Sequence, residues 1–331
     1  MIITRTPLRI SFVGGGSDLP AFYEQEQGAV VSTAIDKYIY ITTNPKFDHK
    51  IRASYSITEI VDSVDELQHE LIRESMKLLG ITSSVEITSI SDIPSQGTGL
   101  GSSGSYTVGL LNALYAANGH MAGAERLASE ACHVEMDLCH HPSGKQDQYI
   151  AAYGGLQFIR FNPDGTVFVD PVICAPETKQ ALQSGLLMLY TGMTRKTRNL
   201  LAEQAKLTRE KPDKQASLRK MVGLAHQLLE ALERNDLGGF GEILHAGWQE
   251  KRKLTAHISN TQIDGWYQRA RMAGAIGGKI LGAGGGGFLL LYAPPEKHSD
   301  ILRALPELRS VPFHFSPQGS KVIYVEENGY Q

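Results

Sequence analysis

Pro94-Ser95-Gln96-Gly97-Thr98-Gly99-Leu100-Gly101-Ser102-Ser103-Gly104-Ser105 lies between a β-rich run at 85–90 and a stretch, 103–118, whose apolar residues recur at helical spacing. Its glycines let backbone N–H groups converge on an anion with no Cβ in the way. The helix start that follows adds partial positive charge, and the serine hydroxyls can serve a phosphate oxygen or a metal ion. A plain tight turn accounts for the run less well, because adjacent glycines lose conformational entropy and add no packing. The stretch reads as a phosphate cradle between a strand and a helix.

Three known loops compete for it. A Walker loop requires a lysine just after its last glycine, and none stands there. Gly99-Leu100-Gly101-Ser102-Ser103-Gly104 matches G-x-G-x-x-G literally, but a dinucleotide fold also needs a strand ending in an acid about 20 residues on. Glu125 has that offset and falls at a helix start. A protein-kinase loop would place valine at 106, where Tyr106 stands, and no H-R-D or D-F-G follows. Two more glycine clusters stand at strand ends, Gly14-Gly15-Gly16-Ser17-Asp18 and Gly282-Ala283-Gly284-Gly285-Gly286-Gly287. Alone, each is a turn or bulge; together they read as backbone converging on one ligand.

Outward from these loops the chain alternates in type. Strands are expected at 8–13, 29–35, 38–43 and 85–90, and helices at 64–79, 103–118, 123–138 and 146–153. Val108, Leu111, Leu114 and Tyr115 form one stripe, which should face a sheet. Asn162-Pro163-Asp164-Gly165 is turn chemistry and reads as a hinge between an N-terminal domain, 1–165, and a C-terminal domain, 166–331. The second half offers a strand at 186–190, helices at 196–209, 214–234, 238–253 and 261–273, strands at 277–281 and 288–292, a helix at 296–305, and closing strands at 312–315 and 321–325. The class is α+β, with helices on one side of an open second sheet.

Composition agrees. A chain of 331 residues at 42% hydrophobic can bury the core of two domains. Its net charge of −3 draws it neither to nucleic acid nor to an anionic membrane. Basic residues dominate 195–220, where helical spacing makes them a solvated face. No apolar run approaches the roughly 20 residues of a membrane span, and the N-terminus alternates like a strand, unlike an export signal. Cys132, Cys139 and Cys174, without a C-x-x-C pair, suit neither a disulfide framework nor a zinc site. A reducing cytoplasm is the expected setting.

Arg9-Ile10-Ser11-Phe12-Val13-Gly14 with Asp18, then Pro94 to Gly104, then Lys279-Ile280-Leu281 with the glycines to Gly287 resemble, in order, the three motifs of the GHMP small-molecule kinases. That family includes galactokinase, homoserine kinase, mevalonate kinase and phosphomevalonate kinase. The opening, 6–20, is most similar to its branch of D-glycero-D-manno-heptose 7-phosphate kinases. The resemblance implies a first domain like the second domain of ribosomal protein S5 and a ferredoxin-like second domain.

It implies a site as well. ATP would lay its phosphates on Gly97, Gly99, Leu100, Gly101, Ser102, Ser103 and Gly104, with Mg²⁺ on Ser103 and Glu135, an oxygen set that suits this ion. Asp147, in His141-Pro142-Ser143-Gly144-Lys145-Gln146-Asp147-Gln148, would take the acceptor's proton. Arg9 would keep that acid ionised and offset charge on the transferring group. Asp18, with Gly15, Gly16, Ser17, Gly284 and Gly285, would contact the acceptor. Galactokinase has Glu-His where this chain has Gly15-Gly16, so the sugar contacts differ from galactokinase. Arg195 and Lys196, with Arg198 and Lys145 as further candidates, would hold the acceptor's own phosphate. Read without the resemblance, Asp147 is a carboxylate at a helix start, Arg9 a strand-end arginine, and helix phase leaves Glu130 and Glu135 both open. His140 and His141, being adjacent, point apart and make a poor metal pair.

The implied activity is ATP-dependent phosphorylation of the anomeric hydroxyl of heptose 7-phosphate to the 1,7-bisphosphate, on the way to nucleotide-activated heptose and surface polysaccharide. Its partners are the sugar phosphate and ATP, with no nucleic acid or membrane, and a homodimer stays open. The alternatives are a kinase for fucose or galactose, a non-catalytic sugar and ATP sensor on the same fold, and a nicotinamide oxidoreductase resting on G-x-G-x-x-G alone.

Overall fold

The computed structural model describes residues 1–94, 97–193 and 197–326. Strand β1 (Ile2–Val13) leads through a short helix, α1 (Pro20–Tyr23), into the long antiparallel strand β2 (Gly28–Pro45). Their register jumps from Pro7–Tyr38 to Leu8–Ile35, so Asp36 and Lys37 bulge out of β2. Pro7 has no N–H to give the ladder, and the irregularity falls beside it. The two strands expected at 29–35 and 38–43 are therefore one, because a polar bulge interrupts the apolar run without ending the strand.

The chain continues through β3 (Ile51–Ser54), β4 (Thr58–Val61), α2 (Glu70–Leu78), β5 (Val85–Ser91), α3 (Ser102–Ala117), α4 (Ala124–Cys132), α5 (Gln146–Tyr153), β6 (Leu156–Phe161) and β7 (Val167–Pro171). Strand β2 also pairs with β5 and β6, β3 lies parallel to β5, and β7 is antiparallel to β6. The Asn162 to Gly165 turn, with Gly165 N donating to Asn162 O at 2.9 Å, closes the β6–β7 hairpin. It is thus not a hinge, and the first sheet runs past residue 165 to Pro171. Local turn chemistry is the same in a hairpin and in a linker.

Helix α3 corrects the reading of its stripe. Leu110, Ala113 and Leu114 join the core under the sheet, whereas Val108, Leu111 and Tyr115 pack in a second cluster with α4 and α5. The helix is covered on both sides, so a single apolar stripe understates what it buries.

Beyond β7 come α6 (Pro176–Ser184), β8 (Leu186–Tyr190), α7 (Thr197–Glu210), α8 (Pro212–Glu233), α9 (Leu237–Arg252), α10 (Thr261–Met272), β9 (Gly277–Ile280), β10 (Phe288–Tyr292), α11 (His298–Ala304), β11 (Arg309–Ser310) and β12 (Lys321–Val325). The second sheet has the order β11-β8-β10-β9, all antiparallel. Its four strands, in chain order, stand 4-1-3-2, with helices between the first and second and between the third and fourth. This is the ferredoxin-like arrangement.

The closing strands expected in this sheet are elsewhere. Strand β12 pairs with β1, from Ile2–Val325 to Arg5–Lys321, and so completes the first sheet. Residues 312–315 form no strand and touch β2 through one bridge, Ile35–Phe315. The β2 bulge holds them: Asp36 N donates to His314 O at 2.8 Å, and the Asp36 carboxylate accepts from His314 N at 2.8 Å. An alternating strand pattern does not say which sheet edge the strand will complete.

In the basic run, Arg198 pairs with Glu70 and Arg219 with Glu26, both at the surface. Among the described residues no helix is long and apolar enough to cross a membrane. The three glycine loops meet where the two sheets adjoin. Gly99, at φ +79°, lies so close to Leu281 that a Cβ would overlap its carbonyl, and only glycine allows that approach.

Candidate active site

A cavity of about 600 Å³ opens at this junction, with the N-terminus of α3 in its wall. Of the expected site residues, Arg9, Gly15, Gly16, Asp18, Gly97, Gly99, Gly101, Ser102, Ser103, Glu135 and Asp147 line it. Arg198, a further candidate, lines it as well, whereas Leu100, Gly104 and Ser17 stand behind the wall. The Leu100 carbonyl accepts from Arg9 N at 3.0 Å, Gly104 packs on Asp147, and the Ser17 hydroxyl ties its loop to Ala29. Gly284 and Gly285 rest on Ile258 away from the cavity, while Gly282 and Ala283 of the same loop line it. Lys145 turns away to Gly165 O at 2.6 Å, and Arg195 and Lys196 lie outside the described residues.

Arg9, from β1, is nearly fully buried and reaches three acceptors. Its Nε and Nη2 donate to the two carboxylate oxygens of Asp147 at 2.7 and 2.9 Å, and its Nη1 donates to Gly99 O at 2.6 Å. One side chain thus joins the first strand, the glycine loop and the first turn of α5. A bidentate guanidinium contact fixes the carboxylate plane as well as its position.

Glu135 stands on a π-helical turn, His133–Leu138, that continues α4 and replaces the last turns of the helix expected at 123–138. Its wider winding changes the phase and aims Glu135 inward; such turns recur at functional sites. The carboxylate accepts from Ser103 Oγ, from Thr107 Oγ1 at 3.1 Å and from Gln148 Nε2 at 2.9 Å. Burial pushes its pKa up to about 6 against these hydrogen bonds. Glu130, the other candidate, instead binds Tyr115 Oη and Arg126. A buried carboxylate whose hydrogen-bond donors among the described residues are all neutral, beside a serine at a helix start, fits a divalent cation that prefers oxygen.

Asp18 is buried in the wall beside the start of α5. Its Oδ1 accepts from Gly16 N at 2.7 Å and its Oδ2 from Gln146 N at 3.4 Å, and desolvation raises its pKa. Gly144 packs so tightly on Asp18 that any Cβ would overlap Oδ2. His141 lines the cavity and contacts Glu70 through Nε2 at 2.7 Å; Glu70 also accepts from Arg198 at 3.2 Å.

Sequence reasoning missed Lys251 and assigned no role to Lys279, although both line the cavity. Lys279 stands in the third motif, which was a usable signal. Lys251 has none: along α9 it is one basic residue among Glu250, Arg252 and Lys253.

A partly buried acid clamped by an arginine, facing a glycine-rich helix start, is an arrangement suited to phosphoryl transfer to a small molecule. The family model for the GHMP kinases N terminal domain matches residues 64–155, and that for the GHMP kinases C terminal region matches 228–309. The chain belongs to the GHMP kinases and is an ATP-dependent phosphotransferase. It is similar, at 28% identity over 97% of its length and 98% of the relative's, to the D-glycero-alpha-D-manno-heptose 7-phosphate kinase of Campylobacter jejuni. Its fold is shared with a D-glycero-D-manno-heptose 1-phosphate kinase from Bacteroides thetaiotaomicron, at TM-score 0.81 and 24% identity over 99% of this chain and 100% of that one. Galactokinase of Lactococcus lactis complexed with galactose has the same fold, at TM-score 0.76 and 18% identity over 97% and 94%.

Proposed function

We propose that this enzyme transfers the γ-phosphoryl group of ATP to the anomeric hydroxyl of D-glycero-D-manno-heptose 7-phosphate, giving the 1,7-bisphosphate and ADP. The observation that carries the mechanism is the Arg9–Asp147 clamp in the same wall as the start of α3. The acceptor oxygen attacks the γ-phosphorus in line, the bond to the β-phosphate oxygen breaks, and the hydroxyl proton passes to the Asp147 carboxylate. Arg9 holds that carboxylate in place by both oxygens, and the N–H groups from Gly97 to Gly104 cradle the phosphates. Mg²⁺, when held by Ser103 and Glu135, would neutralise phosphate charge. Asp18 accepts hydrogen bonds from the sugar, with Gly15 and Gly16 leaving room beside it.

The acceptor is chosen on the Campylobacter relative, which this chain matches nearly end to end and which is named for the 7-phosphate. The product suits a pathway toward nucleotide-activated heptose for surface polysaccharide, and ATP as donor puts the reaction in the cytoplasm. ADP release is measured with heptose 7-phosphate, unphosphorylated heptose, fucose and galactose, and the product is examined by phosphorus NMR for a second, anomeric phosphate. Turnover of the neutral sugars alone removes the heptose phosphate reading; no ADP with any sugar makes the chain a sensor.

A further inference from the structure

Two lysines are buried in the cavity wall beside Gly15 and Gly16, Lys251 from α9 and Lys279 from β9, each 4% exposed. Lys251 Nζ donates to Gly15 O at 3.1 Å and Gln204 Oε1 at 3.4 Å; Lys279 Nζ donates to Ser11 O at 2.9 Å and Phe12 O at 3.1 Å. All four acceptors are neutral. A third buried cation, Arg9, is matched by Asp147. Near the lysines the acid is Asp18, whose oxygens take Gly16 N and Gln146 N, and it forms no ion pair with either lysine among the described residues. Two buried lysines therefore have one carboxylate near them, burial disfavours the charged form of both, and an anionic ligand relieves that cost.

The same wall carries an idle donor. Among the described residues Ser11 Oγ is buried without a partner, and it lies 3.4 Å from where a Gly15 Cβ would be. Gln204 Nε2, on the side chain that receives Lys251, is also buried and has no partner among the described residues. The same Cβ position on Gly15 is also 3.4 Å from Nε2 of Gln146, the residue before the clamped acid. A ligand beside Gly15 thus shares one cavity with the proton acceptor and with the lysine and hydroxyl donors.

We infer that Lys251, with Lys279 and Ser11, forms a subsite for the acceptor's own phosphate monoester, apart from the loop that cradles ATP. This rests on the acceptor being a sugar phosphate, and it replaces Arg195 and Lys196 as the groups expected to hold that phosphate. A dianion here favours the charged form of the lysines and takes the free hydroxyl, whereas an unphosphorylated sugar does neither. Glutamate and histidine at positions 15 and 16 would fill the space.

The test is calorimetric binding of heptose 7-phosphate and of unphosphorylated heptose, with ADP saturating, to wild type and Lys251→Met. Wild type should favour the phosphorylated sugar, and Lys251→Met should weaken that ligand about 10- to 100-fold, the loss expected of a charge-assisted contact, bringing the two affinities together. Equal losses for both sugars, or a loss confined to ATP, overturn the inference, as does a wild type without preference for the phosphorylated sugar. If Lys251→Met does not fold, Ser11→Ala serves, with a several-fold loss expected for the phosphorylated sugar alone and an equal effect on both sugars counting against the subsite. Should wild type bind heptose 7-phosphate through Lys251 yet form no ADP, the proposed reaction fails while the subsite stands.

Discussion

Arg9 holds Asp147 by both carboxylate oxygens and, with its remaining terminal nitrogen, holds the carbonyl of Gly99. Residues 138 positions apart in the chain are thereby set against the loop that carries the phosphates. The proton acceptor and the phosphate cradle cannot shift independently while this contact stands. Asp147→Asn keeps the shape and removes the basic oxygen. Its kcat should fall about 10²- to 10⁴-fold with ATP binding by calorimetry nearly intact, and normal turnover would dispose of Asp147 as the base.

Arg9→Lys retains the charge but cannot span three acceptors from one planar group. We expect kcat to drop at least about tenfold. Arg9→Met leaves the Asp147 carboxylate largely buried without its partner, and urea unfolding should show a loss of about 3 kcal/mol. Equal stability of wild type and Arg9→Met would mean that the clamp carries little of the fold.

Glu135 supplies a pH dependence with a definite sign. Its carboxyl is raised by burial from 4.5 to about 6, so between those values the folded chain keeps a proton that the unfolded chain has released. Stability without metal therefore decreases as pH rises through this window and stays reduced above it. Glu135→Gln should be more stable than wild type at pH 7.5, by up to about 2 kcal/mol, with the gap narrowing toward pH 5. The same variant should lose the extra thermal stabilisation that MgATP gives over ATP alone. A Tm gain from Mg²⁺ that survives in Glu135→Gln would sink the metal assignment.

Gly144→Ala tests the acceptor side. The new Cβ overlaps Asp18 Oδ2, so the acid must move. The KM of the sugar should rise about tenfold or more, with that of ATP little changed, and stability should fall by about 1–3 kcal/mol. A uniform rise in both KM values would show that Asp18 does not face the acceptor.

Much of this was legible in the letters. Three glycine loops at strand ends announced a convergence of backbone, and the resemblance they carry led to Asp147, Arg9, Ser103 and Glu135. Less accessible was the choice between Glu130 and Glu135, because the π turn at His133–Leu138 resets a helical phase that sequence counting assumes regular. Gly284 and Gly285 share the composition of the other loops yet serve as packing, since glycine permits close approach of a ligand and of another strand alike. Arg195 and Lys196 were conspicuous as a basic pair, whereas Lys251 is hidden on a helix of ordinary charged residues.

What the chain determined by itself was local: where backbone must take glycine-only conformations, where strands and helices alternate, and that a cradle lies between a strand and a helix. These follow from φ/ψ restrictions and apolar period, which neighbours in sequence express. Tertiary structure alone decided that β12 completes the first sheet, that Arg9 meets Asp147 and Gly99, and that Lys251 and Lys279 stand behind Gly15. Such meetings depend on how distant elements pack around a shared core, and short-range propensity carries no record of them.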